Sequence, residues 1–219
     1  AYAEQWRSGD KRTDVVELFT SEGCSSCPPA DRWLSSLKDR PGLFEEFIPL
    51  AFHVDYWDYI GWKDPYASSA YSQRQRQYER DGQLSQVYTP GIVINSDEWR
   101  LWFRGKRVWQ KTGEKAGDLV ASLDDNRLKV SYEDKGRNRL NVAYLGMGLT
   151  TQVRAGENRG KMLAHDFVVL NLTTVPGNGE WQVKLPAKPD AGQQRTALAV
   201  WVSADDSQKI LQAVGGYIE

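Results

Sequence analysis

Two cysteines separated by two serines, Cys24-Ser25-Ser26-Cys27, stand where an apolar run, Val15 to Thr20, gives way to a helical spacing of Ala30, Trp33, Leu34 and Leu37. The pattern imposes a local order of strand, loop and helix. No other cysteine occurs in the chain, so neither a multi-bridge framework nor a four-thiolate zinc site can be built. Across a strand-to-helix turn this spacing suits the Cα separation that a disulfide requires. Unpaired N–H groups and the positive end of the helix lower a thiol pKa from about 8.5 into the range of about 3.5 to 7.5. Cys24, nearer the loop, is then the attacking and more exposed sulfur and Cys27 the resolving one. A permanent local clip and half of a metal site remain alternative readings of the same pair.

The helix should stop near Arg40-Pro41-Gly42. A buried strand from Phe47 to Val54 follows, and a strand-helix-strand connection of this length is expected to be parallel. Asp55, Tyr56, Trp57 and Asp58 would therefore emerge at the same edge as Cys24, as candidates to line a substrate groove. Anchoring of the inserted segment 56–86 to the core is the plain alternative for the aromatic pair. Within that insertion, Ala67 to Leu84 has helical spacing. Thr89-Pro90-Gly91 introduces Ile92-Val93-Ile94, and Asn95-Ser96-Asp97 turns the chain toward Trp99, Leu101 and Phe103, a β-hairpin pattern. Glu114 to Leu123 reads as a helix.

From Leu128 onward the pattern changes to seven short alternating segments, beginning with Leu128–Tyr132 and Leu140–Leu145 and ending with Ala197–Val202 and Ile210–Val214. These suggest a small β-sandwich. The organisation expected is an N-terminal tail (1–12), a first domain (13–126) carrying the 56–86 insertion, and a sandwich domain (127–219). The Gly156–Lys161 loop, with Glu157, Asn158 and Arg159, reads most simply as a solvated turn between strands.

The 219 residues carry a net charge of −1 with basic residues spread along the chain, which argues against nucleic acid as a partner. No apolar run reaches the length of a membrane span. Ala1-Tyr2-Ala3 has the small-x-small form that precedes a signal-peptidase cut, although a cloning remnant reads the same way.

The stretch Val16-Glu17-Leu18-Phe19-Thr20-Ser21-Glu22-Gly23-Cys24-Ser25-Ser26-Cys27-Pro28-Pro29-Ala30-Asp31, with Phe52-His53-Val54-Asp55-Tyr56-Trp57-Asp58 and Tyr88-Thr89-Pro90, resembles a bacterial secreted family. That family is domain of unknown function 1223, within the thioredoxin-like superfamily. Gly156–Lys161 and His165–Val169 resemble its C-terminal region, and that likeness implies, as the alternative to a solvated turn, that Gly156–Lys161 marks the interface of the sandwich with the first domain. The resemblance implies an α/β fold, with a thioredoxin-like domain followed by a small all-β sandwich-like domain, in a periplasmic or secreted protein. Thiol-disulfide exchange at Cys24 and Cys27 would then act on protein or small-molecule thiols and disulfides, with an unidentified redox partner and no cofactor beyond the disulfide. A cis Thr89-Pro90 bond would present the backbone at residue 89 to an extended substrate, beside Ser25, Ser26, Asp55, Tyr56 and Trp57; an ordinary trans proline opening an edge strand is the alternative reading. The buried acid of thioredoxins would fall near Leu18. Glu17 is the acidic residue at hand for a proton relay, although one residue out of phase in a strand, and so facing the other way. His53 reads either as a core histidine or as a third ligand with Cys24 and Cys27 for copper or zinc, since copper-delivery proteins on the thioredoxin fold pair two cysteines with a distant histidine.

Overall fold

A computed structural model describes residues 4–219, so Ala1-Tyr2-Ala3 lies outside the described residues. The strands are β1 (Glu4–Arg7), β2 (Asp14–Thr20), β3 (Phe47–His53), β4 (Gly91–Ile94), β5 (Asp97–Glu98), β6 (Leu119–Asp124) and β7 (Arg127–Tyr132). They continue with β8 (Asn138–Met147), β9 (Leu149–Gln152), β10 (Met162–His165), β11 (Val168–Gly177), β12 (Glu180–Lys184), β13 (Arg195–Ala204) and β14 (Ile210–Ile218). The helices are α1 (Pro28–Ser36) and α2 (Ser69–Arg80).

The expected α/β arrangement, a thioredoxin-like domain followed by a separate sandwich, is overturned. Strand accounts for 42 % of the chain and helix for 14 %. One eight-stranded mixed sheet, ordered β14-β13-β8-β11-β3-β2-β4-β5, draws its strands from both halves of the sequence. The junction is a short parallel pairing, with Val168 of β11 opposite Ala51 of β3. A four-stranded antiparallel sheet, β1-β6-β7-β12, and the hairpin of β9 and β10 complete the fold.

The long strands show why the sheet is continuous. In β8 and β13, Ala143, Leu145, Ala199 and Trp201 belong to the core that α1 and α2 help enclose. Their alternating neighbours Leu140, Val142, Leu198 and Val200 pack under the four-stranded sheet against Leu119, Val130 and Trp181. Strands covered on both faces become apolar throughout, which is how these two read in sequence.

One expected helix and one expected strand are replaced by other structure where the sequence period was ambiguous. Glu114–Leu123 is not helical: Leu119, Ala121 and Leu123 alternate toward the second core in β6, between β1 and β7. The hairpin of β4 and β5 turns through Asn95 and Ser96, with φ of 49° and 69°. Leu101–Arg104 then forms a 3-10 turn instead of prolonging the second strand.

In β2 the alternation sends Glu17 and Phe19 toward α2, where they meet Arg74 and Tyr78, while Thr20 reaches Asp31 of α1. Strands β2 and β3 run parallel, with Thr20 opposite His53. The chain leaving β2, the start of α1 and the end of β3 therefore meet at one edge, and the cysteines lie there.

Candidate functional site

Cys24 and Cys27 are joined by a disulfide with a Cα separation of 5.4 Å. Pro28 occupies the first helical position of α1, as its fixed φ and missing N–H favour. Cys27, immediately before it, adopts helical angles (φ −80°, ψ −33°), against the extended bias that a following proline imposes. The Cys27 carbonyl accepts from the Asp31 N–H at 3.0 Å, so the first helical turn holds the residue in place. Pro28 and Pro29 remove two of the N–H donors that a helix start offers a thiolate. A neighbouring proton source therefore matters more here than at an ordinary helix start.

Cys24 is 2 % exposed and Cys27 0 %, so the attacking sulfur expected at the surface lies just beneath it. Ser25 and Ser26 are exposed above the pair, and the Ser26 hydroxyl is 3.3 Å from Cys24 Sγ. Trp57 packs its Cβ over Gly23 and donates from Nε1 to the Thr89 hydroxyl at 2.8 Å. The Thr89-Pro90 peptide is cis. Trp57 thus links the loop that carries Cys24, Ser25, Ser26 and Cys27 to the cis Thr89-Pro90 turn. Asp55 and Tyr56 border it but turn to α2, where Asp55 accepts from the Ser72 hydroxyl at 2.5 Å and the Tyr56 hydroxyl donates to Gln75 at 2.9 Å.

Glu17 is not brought to the cysteines. Its carboxylate accepts from Arg74 Nε at 2.7 Å and from the Tyr78 hydroxyl at 2.6 Å, on the α2 face of the sheet and fully buried. His53 does face the α1 side, but its Nδ1 is 2.7 Å from Asp64. With Cys24 and Cys27 bonded to each other, no group of three or more His, Cys, Asp or Glu side chains among the described residues is arranged to hold a metal ion.

Beneath the disulfide lies a buried polar cluster that the sequence reading missed. Asp31 sits one helical turn after Cys27 on the same side of α1. Its carboxylate accepts from the Thr20 hydroxyl at 2.7 Å, and its other oxygen is 3.7 Å from Nδ1 of His165. His165 Nε2 is 2.7 Å from Glu22, which also accepts from Trp62 Nε1 at 3.0 Å. Asp64 accepts from the Glu22 N–H at 2.9 Å and pairs with His53, whose ring lies 4.9 Å from that of His165.

Two histidines and three carboxyl groups share this dry volume. Desolvation raises the Asp31 carboxyl above the usual carboxylate range, partly offset by the two histidines. Burial works against protonation of His53, but the charge and hydrogen bond of Asp64, with Asp31 and Glu22, outweigh it and raise its pKa to about 9. The same pairing holds Asp64 below its ordinary value against its own desolvation.

The 156–160 turn closes the site from the C-terminal half. Asn158, fully buried, donates from Nδ2 to the carbonyls of Glu22 (2.7 Å) and Cys24 (2.9 Å), and Glu157 accepts from the Ser25 N–H at 3.2 Å. The spacing of four between Cys27 and Asp31, an acid on an otherwise apolar helix face, is the signal that could have revealed Asp31. Glu22, Asp64 and His165 meet only through the tertiary fold and leave no comparable local sign.

Fold and site together define a mostly β protein with a disulfide closed over a buried acid-histidine cluster. The chain belongs to the family described as Protein of unknown function (DUF1223), which matches residues 15–203. No curated protein matches it. A crystal structure of a protein from Agrobacterium tumefaciens is similar at 27 % identity, covering 92 % of each chain, with a TM-score of 0.69. The structure of HBP35 of Porphyromonas gingivalis shares the fold at 13 % identity and a TM-score of 0.61, covering 96 % of this chain and 76 % of that one.

Proposed function

We propose that this is an exported thiol-disulfide exchange protein, acting through Cys24 and Cys27 on protein or small-molecule thiols and disulfides. The observation that carries the reading is the buried carboxyl of Asp31, one turn below Cys27 and linked toward His165 and Glu22. Burying several ionisable groups costs desolvation energy that their mutual pairing offsets, and pKa values shifted in this way cluster at functional sites. A persistent disulfide also suits an oxidising compartment.

When a partner dithiol is oxidised and the cysteine pair reduced, a partner thiolate attacks Cys24 Sγ. The S–S bond breaks, and its electron pair passes to Cys27 Sγ, which takes a proton from Asp31. The partner's second thiolate then attacks its own sulfur in the mixed disulfide and releases Cys24 as a thiolate. The partner leaves as a disulfide, and the two electrons remain on the cysteine pair. Reduction of a substrate disulfide is the same sequence reversed, with Asp31 as base for the Cys27 thiol. Trp57 and Thr89 would flank the bound partner, and the cysteine loop must swing outward beneath Ser25 and Ser26 for attack.

The burial of both sulfurs favours a second reading, a permanent clip that fixes the loop for recognition. Equilibration with glutathione buffers, alkylation and mass analysis separate the two. A potential between about −120 and −270 mV supports exchange, whereas one below about −300 mV supports the clip.

A further inference from the structure

The segment from Trp99 to Lys111 contains five basic residues, Arg100, Arg104, Lys106, Arg107 and Lys111, and no acidic one. The whole chain carries a net charge of −1, so this run of cations, bordered by Asp97, Glu98 and Glu114, is a local concentration of positive charge. It also holds three of the large apolar side chains that face solvent: Leu101 (45 % exposed), Phe103 (49 %) and Val108 (65 %).

The segment is fastened from beneath by its tryptophans. Trp102 and Trp109 are buried, Trp99 stacks on Trp33 of α1, and the Trp33 indole donates to the Arg107 carbonyl at 3.0 Å. The 3-10 turn and Gly105, at φ 89°, reverse the chain between Phe103 and Lys106. The larger aromatic groups thus serve the fold while the smaller apolar ones are turned outward among cations. Arg100 and Lys111 have ion-pair partners in Glu98 and Glu46, and Arg107 lies over the Trp102 ring. No ion pair among the described residues engages the exposed Arg104 or Lys106.

Phe103 rests one side of its ring on Trp102 and Tyr88, but about half of Phe103 and Leu101 and most of Val108 stay in solvent. Amid fixed cations these surfaces match a headgroup layer, with phosphates meeting Arg and Lys and apolar side chains entering the acyl boundary. We propose that residues 99–111 form a docking surface for anionic lipid bilayers. Charge complementarity alone would serve any polyanion; the apolar side chains interleaved with the cations single out a lipid surface.

Sedimentation of the full chain with vesicles tests this. Binding is expected to vesicles of phosphatidylcholine mixed with phosphatidylglycerol, and not to phosphatidylcholine alone, and it should weaken as salt rises. Arg104→Ala with Lys106→Ala should lower partitioning about 25-fold, at roughly fivefold for each cation lost. Leu101→Ser with Phe103→Ser should also lower it, measured well below the variant's own thermal transition so that loss of fold and loss of binding are kept apart. Lys129→Ala with Lys184→Ala, on the four-stranded sheet, should bind like the wild type. Absence of binding to the mixed vesicles overturns the proposal, as does equal loss in the control variant. Binding that resists the Leu101 and Phe103 changes and is displaced by heparin identifies a general polyanion site and overturns it too.

Discussion

Replacing Asn158 by alanine removes the side chain that ties the 156–160 turn to the cysteine loop. Its Nδ2 reaches two carbonyls, Glu22 at 2.7 Å and Cys24 at 2.9 Å, from a wholly buried position. The Cys24 carbonyl keeps a second donor, the Cys27 N–H at 3.3 Å, so the loss there is about 1 kcal/mol of net hydrogen bonding. The Glu22 carbonyl loses its donor in a dry setting, which costs about 1–3 kcal/mol. Asn158→Ala should therefore destabilise the fold by about 2–4 kcal/mol. Urea unfolding followed by tryptophan fluorescence should show a lower midpoint at an unchanged slope. The melting temperature should fall by roughly 2–4 °C for each kcal/mol in a chain of this size. With the turn released, the disulfide of the folded variant should also react faster with a small thiol. A loss within about 0.5 kcal/mol, the range of an ordinary surface change, would refute the reasoning that this side chain joins the two halves.

Arg74→Met strands Glu17 in the core and should cost about 3–5 kcal/mol, whereas Arg74→Met combined with Glu17→Met should cost much less than the sum of the single changes in a urea double-mutant cycle. His53 has a folded-state pKa of about 9 against an ordinary 6.5, so its proton stabilises the fold fully below about pH 6.5, and that contribution is lost as pH rises through about 9. The urea midpoint of the wild type should accordingly fall across that window. Asp64→Asn, which removes the main charge holding the proton, should flatten the fall.

Strand positions in the C-terminal half were legible because their burial alternates or is continuous: β7 buries Leu128, Val130 and Tyr132 in strict alternation. The segment ending at Leu123 misled because Leu119, Val120 and Leu123 satisfy a helical spacing as well as a strand's, and only pairing with β1 and β7 decides between them. The shared sheet was not legible. A parallel contact between Val168 and Ala51 leaves no local mark, and the reading of two separate units followed from treating each half by its own pattern. At the site, the cysteine pair, Trp57 and Thr89 could be gathered from strand ends and turn residues. Glu22 and His165 could not, being 143 positions apart and joined only when the β9–β10 hairpin folds back on α1.

The exchange chemistry is tested most directly by the rate at which the folded, oxidised protein reacts with dithiothreitol across pH, in the wild type and in Asp31→Asn. The wild type should be reduced far faster than it unfolds, and Asp31→Asn should be slower by about a hundredfold at neutral pH, the lower end of what a positioned proton donor contributes. Reduction that proceeds only at the rate of global unfolding, with Asp31→Asn no slower than the wild type, would contradict an exchange site and leave Cys24–Cys27 as a clip.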